Sequence, residues 1–385
     1  MPTPARTRPD ALADLDRAAA AAHDSAIVMW RGEAVSLAEM PSRIAATSGR
    51  GDRDRLFGAY RQGLAATNVS LERRFAAMLE AGDPADALLR DGLDPRRMAT
   101  ELEAFLLHSE TVYFAALRRN LALIGIEQGD ASEADLWHVN RGTAWTQWFG
   151  GRAVERAVGA VGAAGAASEH AEPEDADGWL SAKALLAGPA RPRTDLVGRA
   201  IAATYAGLVG SPAWLESELA MAPGEIGAFA DFAAFVQLWR LRHDVGLLQY
   251  ELRLVDADGD PDLSRAYYAG LLGTVTGVEV AEEAYLAEVI EPFESARSVA
   301  VSLVAGALGE VLETRHGPSW WREPAARELI GEVAARPSPA DALARLGYDG
   351  FDWRPVLRQI RTRLIGEMSG YGGPNITTRA GTRKV

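Results

Sequence analysis

Apolar residues along this chain recur at three- and four-residue spacing in one segment after another, the period of a helix with one buried face. Leu71, Phe75, Met78 and Leu79 make one such stripe; Met98, Leu102, Phe105 and Leu106, continuing through Val112 and Leu117, make the next. A long helix is expected over Asp231 to Asp256. No window of five or six residues alternates with β-branched enrichment, so no strand is expected and the fold class reads as all-α. Proline and glycine punctuate the pattern sharply. Gly82-Asp83-Pro84, Gly92-Leu93-Asp94-Pro95, Gly129-Asp130, Ser211-Pro212, Pro223-Gly224, Gly259-Asp260-Pro261 and Arg336-Pro337-Ser338-Pro339 read as turns or helix starts.

One segment breaks the periodicity. Residues 163–193 are acidic and rich in Ala, Gly and Pro, with room for one short helix around Trp179 to Leu186, and read as a surface linker. The chain is therefore expected to divide into an N-terminal helical part (1–162), this linker, a C-terminal helical part (194–368) and a basic tail (369–385) carrying Arg379, Arg383 and Lys384. The most apolar stretch, Val299 to Leu312, is interrupted by Gly306 and Gly309 and falls short of the about 20 residues a membrane span needs. No apolar core of a secretory signal is visible near Met1, so the chain is expected to be cytoplasmic, with no membrane partner.

Composition narrows the chemistry. The 385 residues hold 40 Lys plus Arg against 53 Asp plus Glu, six His and no Cys. Without cysteine there is no disulfide framework, thiolate zinc knuckle, iron–sulfur cluster or thiol nucleophile. A net charge of −13 argues against a nucleic-acid partner, whose phosphates need a concentrated basic face.

The familiar catalytic signatures are absent: no HExxH, no G-x-S-x-G, no P-loop and no dinucleotide-binding glycine fingerprint. The acidic run Asp256 to Asp262 fails as a calcium loop, because Pro261 stands where glycine is needed and Tyr267 where a bidentate Glu is needed. Asp135-x-x-His138 and Glu313-x-x-His316 carry the spacing of a di-iron bundle, but Asp replaces Glu in the first and Gly317-Pro318 ends the helix straight after the second. A di-iron oxidase is thus the weakest of three functional readings. By helical spacing His243 reaches Gln237, Leu247 and Tyr250, where a hydrogen-bonded core histidine is the ordinary outcome. Trp137, Trp145 and Trp148 cluster in sequence, as helix anchors or as the lining of a cleft; Trp320-Trp321 reads as structural.

Two blocks of helical pattern carry a wider likeness. The first, from about Leu56 to Val161, includes LERRFAAMLEAG, MATELEAFLLHSETVYFAALRRNLALIGI and DLWHVNRGTAWTQWFGGRAVERAV. The second, from about Asp195 to Gln359, includes SPAWLESEL, FVQLWRLRHDVGLLQYELRL, EPFESARSVAVSLVAGALGEVLETRHGPSWW and ADALARLGYDGFDWRPVL. In order and spacing these resemble the thimet oligopeptidase and oligoendopeptidase F family of zinc metallopeptidases. The resemblance implies a clam-like helical body around a long cleft. It also exposes departures: residues 163–193 stand where the family carries its metal-binding helix, Arg199 where it carries a Glu ligand, and Glu294 and Ser298 where it presents oxyanion-steadying tyrosines.

A guanidinium cannot ligate zinc. The resemblance therefore implies a metal-free, peptidase-derived protein, with no cofactor, whose cleft binds a peptide or small molecule. The alternative is a repurposed enzyme performing acid–base chemistry (cyclisation, isomerisation or elimination) on a biosynthetic intermediate. The residues expected to face the cleft are Arg199, Tyr250, Glu251 and Arg297 as ligand-binding groups, with Glu294, His243 and Tyr205 as candidate acids or bases. The tail is expected to fold back on the acidic body and gate the cleft.

Overall fold

A computed structural model of the chain describes residues 15, 26–90, 92–141, 196–256, 261–289 and 291–366. The linker 163–193, the short helix expected within it, the tail 369–385, Trp145 and Trp148 lie outside the described residues.

Helices dominate, as the three- and four-residue spacing dictates. In chain order they are α1 (Met40–Ala46), α2 (Arg50–Ala81), α3 (Ala85–Arg90), α4 (Pro95–Leu123), α5 (Glu133–Arg141), α6 (Leu196–Ala206), α7 (Pro212–Leu219) and α8 (Pro223–Asp256). There follow α9 (Pro261–Thr276), α10 (Glu294–His316), α11 (Pro324–Ala334), α12 (Pro339–Leu346) and α13 (Arg354–Gly366). The punctuation acts as read: Pro95, Pro212, Pro223, Pro261 and Pro339 each open a helix, where a missing N–H costs nothing. Asp94 and Ser338 complete two of these starts by accepting the orphan backbone N–H groups of Arg96 and Arg97, and of Asp341.

One expectation fails. Strands β1 (Ile27–Trp30) and β2 (Glu33–Ser36) form an antiparallel hairpin with Val28 opposite Val35. Arg31 and Gly32 both take positive φ (51° and 84°), the two-residue turn whose twist matches the strands. The run Ile-Val-Met-Trp hides its period because Ile27 and Met29 are apolar yet exposed, while Val28 and Val35 face inward.

Two cores lie side by side. The larger joins residues from α4 and α5 to residues from α6, α7, α8, α10, α11, α12 and α13, so it draws on both sides of the linker. The smaller gathers the hairpin, α1, α2, α9 and the turns around Tyr285 and Val289. The 34-residue α8 serves both, giving Phe229, Phe235, Leu241 and Leu248 among others to the first and Leu247, Tyr250 and Leu254 to the second. At about 1.5–3 kcal/mol per fully buried large apolar side chain, this burial is the main favourable term.

Helix α10 extends beyond the apolar stretch on both sides. Its 23 residues are long and apolar enough by composition to cross a membrane, with a mean hydropathy of 1.3 over the most apolar window. Two-thirds of that window is buried inside the protein, as in a core helix. Gly306 lets α10 approach α13 closely: a Cβ there would meet Val356 Cβ at 2.6 Å.

Candidate functional site

Three helix faces converge on one cavity. On α6, Arg199, Ala202, Ala203 and Ala206 fall on one stripe at three- and four-residue steps; on α8 the stripe is Ala233, Val236, Gln237, Arg240, Leu241 and Asp244. Ser298, Val301, Ser302 and Ala305 form the matching stripe on α10, and Arg363 closes one side from α13. Small residues on α6 hold the helices together without filling the space between them. The cavity that remains measures about 400 Å3, within the range of small-molecule sites.

At its edge Arg199 Nη2 donates to Glu294 Oε1 at 2.7 Å. Glu294 stands in the first turn of α10, where the helix dipole favours a carboxylate. Arg297 Nη1 lies 3.7 Å from its other oxygen and donates to the Pro292 carbonyl at 3.2 Å. Arg199 Nη1 is buried without a hydrogen-bond partner. Ahead of Glu294, the buried Phe293 takes φ 58°, an unusual backbone for a bulky residue.

That backbone is held by Glu251, whose Oε1 accepts from Phe293 N–H at 2.6 Å and whose Oε2 accepts from the Ser295 hydroxyl. Burial pushes the Glu251 carboxyl up to about 8, against the pull of these two hydrogen bonds. Glu251 lies on the same α8 stripe as Asp244, seven residues and about 10 Å further on, where the start of α10 already covers it. It fixes the turn that presents Glu294 and does not line the cavity.

The other candidates also sit apart from the cavity. Tyr205 projects from a different side of α6 and rests on Trp320, with ring centroids 5.4 Å apart. Tyr250 is wholly buried in the smaller core, edge-on to Tyr268 at 5.0 Å. His243 lies about a quarter-turn of α8 away from the cavity stripe; besides Trp239, one turn earlier on the same helix, it meets carboxylates that helical spacing did not supply. Its Nε2 is 3.3 Å from Glu288, its Nδ1 3.8 Å from Asp244, and its ring 5.9 Å from Trp239. Burial works against charging the imidazole, but the two carboxylates outweigh it and hold its pKa well above the ordinary value. Tyr268 donates to Glu288 at 2.8 Å, and burial beside Glu288 pushes Glu133 up to about 8.

The structure thus brings Arg199, Glu294, Arg297 and Ser298 together and leaves Tyr205, His243, Tyr250 and Glu251 outside the cavity lining. Arg240, Asp244, Ser302 and Arg363, which the sequence reading did not single out, complete the wall. For Arg240, Asp244 and Ser302 the signal was available on α8 and α10 as polar residues at helical spacing on otherwise apolar helices; Arg363, on α13, had none.

The di-iron pairs have other partners. Asp135 is salt-bridged to Arg53 at 2.8 Å, and His138 Nδ1 is 2.7 Å from the Ala45 carbonyl. His316 ends α10, followed by Gly317 at φ 79°. Trp137 packs edge-on against Phe57 and Tyr60. Trp321 donates to Glu218 at 3.1 Å.

A solved structure, oligoendopeptidase-F from Enterococcus faecium, superposes on 94% of this chain and 72% of its own, with a TM-score of 0.62 and 15% identity. The fold is that of oligoendopeptidase F. No protein-family model matches the chain, and no curated protein sequence is similar to it. An oligoendopeptidase-F fold raises the question of zinc. Zinc takes imidazole, carboxylate or thiolate donors, and among the described residues no three His, Asp or Glu side chains converge to hold a metal. The cationic Arg199, hydrogen-bonded to Glu294, does not fit such a centre.

Proposed function

We propose that this chain uses the oligoendopeptidase-F fold to bind a peptide or small molecule in the cavity between α6, α8 and α10, without zinc-dependent hydrolysis. The observation that carries the reading is the Arg199–Glu294 ion pair at the cavity edge. By the alignment of motifs, Arg199 takes the place of a metal-binding carboxylate and Glu294 that of an oxyanion-steadying tyrosine. The pair replaces an electrophilic centre with a fixed guanidinium and carboxylate, groups suited to fixing the orientation of a polar ligand.

The test is incubation of the purified chain with internally quenched peptides, with and without added Zn2+. No cleavage is expected in either case. Binding of the peptides, or of the small-molecule probes described below, should survive EDTA and weaken about tenfold in Arg199→Ala and in Glu294→Ala, the loss of one charge-assisted contact. Zinc-dependent cleavage that is lost in Glu294→Ala overturns the reading, as does binding untouched by both substitutions.

A further inference from the structure

Arg363 lines this cavity in a space the fold keeps open for it, and among the described residues no carboxylate forms a salt bridge with it. Its Nη1 occupies the volume a side chain at position 210 would need: a Cβ on Gly210 would lie 2.7 Å from it. Gly210 thus makes room for the guanidinium against the backbone that follows α6. Among the described residues Arg363 makes no hydrogen bond and has no carboxylate within 4 Å, and Glu313 is the nearby acid that favours its charge. Burial lowers the pKa of Arg363 and raises that of Glu313, in each case outweighing the pull of the opposite charge. A desolvated charge without a partner is costly to keep, and a bound anion is the ordinary remedy.

The surroundings agree in sign and in shape. Arg199 and Arg240 also line the cavity, with Asp244 the single carboxylate among the described lining residues and Glu294 paired to Arg199 at the edge. Val236, Leu241 and Val301 give the remaining wall an apolar surface. About 400 Å3 suits a molecule of modest size.

We infer that the cavity takes an amphipathic organic anion, a carboxylate or phosphate monoester whose head group is received by Arg363 and whose apolar body lies along α8 and α10. This deepens the ligand-binding reading above and rests on it. A planar guanidinium grips either head group through two parallel N–H···O bonds, so the two are separated by experiment.

The probes are four molecules with the same six-carbon body: hexanoate, hexyl phosphate, 1-hexanol and hexylammonium, titrated calorimetrically into the full chain. At least one of the two anions should bind tenfold or more tightly than hexanol, and hexylammonium should not bind. The tighter anion identifies the head group. Arg363→Gln should remove that advantage while leaving hexanol unchanged, and Arg363→Lys should restore part of it. Gly210→Ala, which keeps the charge but displaces the guanidinium, should cost the anion about as much as Arg363→Gln. Circular dichroism checks that each variant is folded.

Hexanol binding as tightly as both anions, with Arg363→Gln without effect, overturns the anion assignment and leaves the cavity reading standing. Failure of all four probes to bind while the peptides still bind overturns the anion assignment alone, and failure of probes and peptides alike overturns both. Anion binding that survives Arg363→Gln and Gly210→Ala removes Arg363 from the site.

Discussion

Asp135 and Arg53 are 0% and 2% exposed and form an ion pair at 2.8 Å, with Arg50 3.8 Å from the other Asp135 oxygen. Asp135 also accepts from the Ser132 backbone and hydroxyl, fixing the start of α5. Asp135→Ala leaves the buried Arg53 guanidinium without its carboxylate, held only by the Thr47 and Ser48 carbonyls, and should destabilise the chain by about 3–5 kcal/mol in urea titration. Glu251 works in the opposite sense. Its carboxyl holds a proton in the folded chain up to about pH 8 that it has released in the unfolded chain above its ordinary range. The folded state therefore binds more protons between those limits, and stability falls as pH rises through them. His243 adds the same sign, since its raised pKa gives stability below about pH 6.5 that is lost as pH climbs through the folded value. The chain should be less stable at pH 8.5 than at pH 6, read as a lower urea midpoint. Glu251→Gln keeps an acceptor for Phe293 N–H, turns the Ser295 contact into an amide N–H donating to the hydroxyl, and should remove about 1–3 kcal/mol of that fall. An unchanged pH slope in the variant would show that Glu251 is ionised in the folded chain.

Helices α10 and α13 meet at Gly306, whose carbonyl also accepts from Gln359 at 2.9 Å. Gly306→Val would drive a branched side chain into Val356 and should cost about 1–3 kcal/mol, read as a lowered thermal midpoint. At this scale the helices were legible because burial on one face writes a three- and four-residue period directly into the sequence. Helix starts were legible because proline is tolerated there and hardly elsewhere. The hairpin was not, since four-residue strands give one inward residue each and Ile27 and Met29 break the alternation from the exposed side. The partners of His243 were not legible either: Glu288 lies 45 residues away in sequence, and helical spacing speaks only for neighbours on the same helix. The resemblance places Glu251 at the cleft, and Glu251 does continue the cavity stripe of α8. The stripe is real, but the turn before α10 covers its last member.

Across the whole molecule, α8 ties the two cores together, and the cavity forms where α6 and α10 meet it through small side chains. Arg199, Glu294, Arg297 and Ser298 were named from motif order alone and are neighbours in space. Arg363 was not, because nothing local marks an arginine near the end of an amphipathic helix as facing a cavity formed by three others. Filling that space tests its importance: Ala202→Trp should abolish probe binding while the helical content stays intact. The account turns on the cavity working without zinc, so the most direct measurement is the metal content of the chain purified from zinc-supplemented cells without chelators. Far less than one zinc per chain is expected, unchanged in Glu294→Ala. One zinc per chain, lost together with peptide cleavage on chelation and restored with it, would contradict the account.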